Sequence, residues 1–145
     1  MQILPMKKGW KRKWVKALKS GDYEQGKERL MSKRGGDTAK FCCLGVLCSL
    51  VNKESKKGVY YRNGTPNNSV TEELPVFVAE KVRLIAKQTD PDDAVFEVNP
   101  IVSITRSFAK KHDVSKVGIG NYSLTYLNDA GVPFPTIAAL IDEQL

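Results

Sequence analysis

Lys40–Leu50, KFCCLGVLCSL, is the stretch on which the reading of this chain turns, because it holds all three cysteines within seven positions and is almost wholly apolar. Phe41, Leu44, Leu47, Cys48 and Val51 fall on one helical face, yet the run from Cys42 to Val51 is too apolar around its circumference for a surface helix. We read it as the central buried helix of the fold. A strand fits the same run, since periodicity does not separate a buried strand from a buried helix at this length. Gly45 stands among bulky neighbours, where its use is to let another element approach the helix backbone closely.

The cysteines admit three chemistries. A zinc site needs four converging ligands, and Cys42, Cys43 and Cys48 can be joined only by His112, while adjacent cysteines on one helix point apart. A nucleophile needs a depressed thiol pKa and a partner base, and nothing in the pattern ties His112 or Asp113 to a cysteine. Core packing needs neither, and cysteine is among the most buried residue types. A disulfide framework is disfavoured by the odd count and by adjacency. Packing by reduced thiols, with no metal and no cofactor, is therefore expected.

At 145 residues and 41% hydrophobic, the chain suits one domain with one core. No window approaches the roughly 20 apolar residues of a membrane span, and no uninterrupted apolar run follows the basic N-terminus as in a secretory signal. A cytoplasmic protein without membrane contact is the expectation. The net charge of +7 is concentrated: Lys7, Lys8, Lys11, Arg12, Lys13, Lys16 and Lys19 lie in the first twenty residues without an acid among them, and the remainder is balanced. Such a block attracts phosphate, anionic lipid or an acidic protein surface.

These cations sit on a helix. In GWKRKWVKALKSG, Trp10, Trp14, Ala17 and Leu18 form one apolar stripe, and Gly21 is placed to end the helix in the left-handed conformation, so a basic helix is expected over about 8–20. Gly35-Gly36 suggests a hairpin with one arm near Arg29–Ser32 and the other entering Phe41. Val59–Arg62 reads as a strand before an Asn63-Gly64 turn, Pro75–Ala86 as a helix, AVFEV (94–98) as a strand, and Ile101–Lys111 as a helix. Gly118 and Gly120 mark a loop, Ser123 N-caps a short helix that Gly131 ends, and a last helix runs from about Pro135 to Leu145. The expected class is α+β: a mainly helical single domain, 1–145, with a small antiparallel sheet.

The other chemical candidates are weak. His112, the only histidine, lies in KKHD at a helix end, where a solvated terminus explains it better than catalysis does, since no paired base is visible. Asp90, Asp92 and Asp93 lack the alternating ligands of a calcium loop, and SKRGGDTAK (32–40) lacks the order of a phosphate-binding P-loop. No helix-turn-helix, ribonucleoprotein or zinc-finger pattern is visible.

Three blocks carry a family likeness: KWVKALKSGDYEQGKERL (13–30), FCCLGVLCSL (41–50) and SLTYLNDAGVPFPTIAALIDEQL (123–145). Through Trp14, Ala17, Leu18, Ser20, Gly21, Tyr23, Gln25, Gly26 and Leu30, then Phe41–Cys48 and Leu50, then Leu127–Asp129, Gly131, Phe134, Ile137, Ala138 and Ile141, the chain resembles a family of short proteins carried mostly by tailed phages and prophages. The resemblance implies a small accessory protein working in a bacterial cytoplasm by stoichiometric binding, for host takeover or counter-defence, and it supplies no catalytic residues. The middle of the chain, 53–119, matches none of its blocks.

A non-enzymatic binding protein is thus expected, with a phosphate-bearing small molecule or a host protein as partner. For a nucleotide signal the candidate contacts are Tyr61 and Arg62 for stacking and phosphate, Arg29, Lys33 and Arg34 for charge, and Tyr23 and Gln25 for base or sugar. The alternative is nucleic-acid binding through Lys11, Arg12, Lys13, Lys16 and Lys19. A thiol-dependent enzyme is the third reading.

Overall fold

In the computed structural model, which describes residues 5–32, 39–54, 61–62, 65–66, 74–84 and 98–145, the cysteine stretch is a helix. This helix, α2 (Cys43–Glu54), buries Cys43–Cys48 and Val51, so it is enclosed on every side through its first two turns. Gly45 is indispensable to that enclosure: a Cβ there would lie 1.6 Å from the Leu30 carbonyl oxygen. The same oxygen accepts the Cys42 N–H at 3.2 Å, so the chain at Leu30 rests directly on the start of α2.

Helix α1 (Lys8–Ser20) lies against α2 and against α6 (Phe134–Gln144). Trp14 and Leu18 are fully within the core, with Trp10 and Ala17 half-buried beside them. Trp14 Nε1 donates to the Cys43 carbonyl at 2.9 Å, which satisfies the indole inside the core and fixes the rotation of α1 about its axis. Gly21 ends α1 at φ 80°, as expected from its position. The expected last helix is also present as α6, burying Ile137, Leu140 and Ile141.

Three small sheets occur among the described residues, where one antiparallel sheet was expected; the mainly helical α+β class holds. In the first, β2 (Met31–Ser32) pairs antiparallel with β3 (Lys40–Phe41) as expected, the turn assigned to Gly35-Gly36 lying outside the described residues, and β1 (Glu24–Gln25) adds a parallel strand on the other side of β3. In the second, β4 (Tyr61–Arg62) pairs with β5 (Thr65–Pro66); the turn assigned to Asn63-Gly64 lies outside the described residues. The third corrects the sequence reading. Ile101–Ile104 is not the start of a helix but strand β6, antiparallel to β7 (Gly120–Ser123). Its burial alternates, with Val102 and Ile104 inside and Ile101 and Ser103 outside, and two of its four residues are isoleucine and one valine, which favour a pleated surface. The helix begins only at α4 (Arg106–Lys111), after Thr105 has accepted the Phe108 N–H as N-cap. The loop expected at Gly118 and Gly120 gives way at Gly120 to β7.

Helix α3 (Val76–Val82) stops four residues before the expected Ala86. Arg83 turns to φ 60°, and its N–H and that of Leu84 close back on the carbonyls of the last turn. Ser123 caps α5 (Leu124–Asp129) as expected, accepting the Tyr126 N–H at 3.1 Å. The strand read at 94–98 falls almost entirely outside the described residues. No helix among the described residues is long and apolar enough to cross a membrane.

Candidate functional site

The inward stripe of Trp14 and Leu18 dictates which residues of α1 face out. Lys8, Arg12, Lys16 and Lys19 are exposed, with Lys11 and Val15 half-buried beside them, three and four apart along the helix. α6 runs alongside, and its last turn brings Asp142 to the edge of that surface. Between them is an open groove of about 610 Å³, lined by Lys8, Lys11, Arg12, Lys16 and Lys19 with Val15 and Ser20, and by Asp142 from α6.

Among the described residues none of these five cations is in an ion pair. Lys11 Nζ donates to the backbone carbonyl of Asp142 at 3.2 Å, where a cation also complements the negative end of α6. The first turn of α1 contains no acid and its N-terminus has no side-chain cap. Like charges three and four apart cost a helix about 0.2–0.5 kcal/mol per pair, so the arrangement is maintained against local stability. From Lys8 to Lys19 the row is about 16 Å long at 1.5 Å per residue.

Four of the five cations named from sequence, Lys11, Arg12, Lys16 and Lys19, are thus brought together, and Lys8 joins them. Lys13 is not part of the group. It points to the α2 side, where it pairs with Glu54 and lies 4.9 Å from the Trp10 ring centre.

The residues named for a nucleotide are differently placed. Gln25 is tied into the interior, its Nε2 donating to Asn128 Oδ1 at 3.1 Å and to the Val132 carbonyl at 2.8 Å. Tyr23 is half-buried, edge-on to Phe41 at 5.1 Å; its hydroxyl accepts from Lys53 Nζ at 3.0 Å and lies 3.4 Å from Ser49 Oγ. Arg29 is exposed. Tyr61 and Arg62 form β4, but their side chains, like Lys33 and Arg34 altogether, lie outside the described residues.

The three cysteines are buried thiols, none of them in a disulfide. Burial pushes the Cys43 thiol well above its ordinary pKa, and the neighbouring Cys42 adds to the effect. Its Sγ is 3.7 Å from the Leu124 carbonyl, a weak donor contact inside the core. His112 stacks on Phe108 with 4.2 Å between ring centres at the end of α4. Asp113 accepts from the Ser115 hydroxyl and N–H, which holds its carboxyl below the usual range. Among the described residues no group of three or more His, Cys, Asp or Glu is placed to hold a metal.

Two residues escaped the sequence reading. Asn128 is fully buried and bonds on both sides of its amide, accepting from Cys43 N–H at 3.1 Å and donating to the Gly26 carbonyl at 2.7 Å. Its place in the LND block marked it as part of a pattern, but its partners are remote in sequence and leave no local sign. Asp142 carried no signal at all, because an acid in a C-terminal helix is ordinary until a basic helix is packed beside it.

A family model matches residues 6–145, and its description is a domain of unknown function (DUF8296). No curated protein and no solved structure matches the chain.

Proposed function

The chain belongs to the DUF8296 family, and with that as premise we propose that it is a non-enzymatic binding protein whose α1 groove holds the phosphate backbone of a nucleic acid. The row of five cations, none of them in an ion pair among the described residues, carries this reading. A duplex carries one phosphate per strand for about every 3.4 Å of its axis, so a row about 16 Å long spans an axial length that holds about five phosphates of one strand. A single nucleotide would leave most of the row unused. The nucleotide-sequestering alternative also draws less support because both amide hydrogens of Gln25 are bonded within the fold. A thiol-dependent reaction draws none from a buried, protonated Cys43.

In this reading contact is to phosphate and carries no base sequence, since the groove offers point charges from one helix face. The likeness to tailed-phage and prophage proteins suggests the setting: a bacterial cytoplasm, with host or phage nucleic acid as the partner.

Fluorescence anisotropy with labelled DNA and RNA over a range of salt tests the proposal. Five neutralised phosphates give a log–log slope of about −4.5 on duplex DNA and about −3.5 on a single strand. Absence of binding at low salt, or an affinity that does not change with salt, would sink it.

A further inference from the structure

Asp142 is the one acid lining the groove among the described residues, and its position is unfavourable in two ways. It lies in the last turn of α6, at the negative end of the helix dipole, and on the edge of a surface that a phosphate strand needs to be positive. The expected remedy is an ion pair with a neighbouring cation. Among the described residues Asp142 makes none: the nearby ammonium of Lys11 goes to its backbone oxygen at 3.2 Å, and the carboxylate is left exposed.

An ionised carboxylate only accepts hydrogen bonds, and it repels phosphate. Beside a phosphate track it therefore does two things at once. It keeps the phosphates on the α1 side, and it offers a strong acceptor to any neutral donor on the strand that lies toward α6. Nucleic acids carry such donors in quantity, among them the ribose hydroxyl and the exocyclic amines of the bases.

We propose that Asp142 is the specificity-determining residue of the groove, its carboxylate accepting a hydrogen bond from a neutral donor, sugar hydroxyl or base amine, of a strand whose phosphates lie on Lys8, Arg12, Lys16 and Lys19. This rests on the nucleic-acid reading above and adds to it a preference among strands.

The test compares short labelled homopolymers of deoxyuridine and uridine, both methylated at the ring nitrogen N3 so that the base offers no N–H, and of deoxycytidine, at one salt concentration, with the full chain and its Asp142→Ala variant. Deoxyuridine has neither donor, uridine adds the 2′-hydroxyl and deoxycytidine adds the amine. The unaltered protein should prefer one of the latter two by about tenfold, the worth of a hydrogen bond to a charged acceptor. Preference for uridine identifies the hydroxyl, and preference for deoxycytidine the amine. Asp142→Ala should bind deoxyuridine more tightly, because repulsion is removed, and should lose the preference. Equal binding of all three by the unaltered protein, or a preference that survives Asp142→Ala, overturns the role of Asp142 while leaving salt-dependent binding intact. Binding of none of the three overturns the nucleic-acid reading and this proposal with it.

Discussion

Asn128 Oδ1 accepts the backbone N–H of Cys43 at 3.1 Å, so the first turn of the central helix is capped from 85 residues away. Helix N-termini are ordinarily capped by the residue just before them. Here that position is Cys42, whose Sγ only weakly serves Gly45 N–H at 3.4 Å, and an amide from α5 supplies the stronger bond. The same amide holds Gln25 and the Gly26 carbonyl, so one buried side chain joins β1, α2 and α5.

Asn128→Ala should therefore destabilise well beyond an ordinary surface change. It leaves the Cys43 N–H and the Gly26 carbonyl without this partner, at about 1–3 kcal/mol each when buried. A loss of about 3 kcal/mol in urea unfolding is expected; a loss below about 1 kcal/mol would show that water takes over the bonds.

Gly45→Ala should be among the most damaging single methyl additions available. The neighbour in the way is the Leu30 backbone, which cannot rotate aside, so the cost should reach about 3 kcal/mol or more. Gly21→Ala is the matched control. It has open space and only the left-handed φ of 80° to offend, costing about 1 kcal/mol. Equal thermal shifts for the two variants would contradict the close approach.

The cysteines should be inert in the native state. Iodoacetamide should label none of them appreciably until the protein is unfolded, since all three are buried and the Cys43 thiol is held protonated. The raised pKa also has a sign. The native state keeps a proton that the unfolded state releases near the ordinary value of 9.0, so this contribution to stability is intact below pH 9 and declines as pH rises beyond it. Urea midpoints should fall between pH 8 and pH 10, and more so than in Cys43→Ala.

Within the basic helix, position should matter more than charge. Lys16→Gln or Lys19→Gln should each lower the duplex-DNA salt slope by about 0.9, while Lys13→Gln should leave it unchanged because Lys13 is paired with Glu54. An equal drop for Lys13→Gln would mean that the net charge of the segment acts, not the groove. Circular dichroism of each variant separates lost binding from lost helix.

Helices α1, α5 and α6, and the apolar run of α2 though not its end at Glu54, were legible in the chain because their signals are local. A stripe of Trp14 and Leu18, a glycine after Ser20, a serine before Leu124 and a proline before Thr136 each act on their own neighbourhood. Even the contact at Gly45 could be anticipated, since a residue without a side chain inside an apolar run has few other uses. The basic face of α1 was equally plain.

What local signals do not encode is which distant segments meet. Strands of two residues such as β1 have no period to read, and β6 carries helical spacing in the sequence although its pairing with β7 decides its conformation. The bonds of Asn128 and the retreat of Lys13 to Glu54 exist only once α1, α2 and α5 have packed. The groove itself depends on a contact spanning 131 residues, from Lys11 to Asp142. Local chain energies set the charges and the elements that carry them; packing alone chose which charges share a surface, and it placed one carboxylate among them.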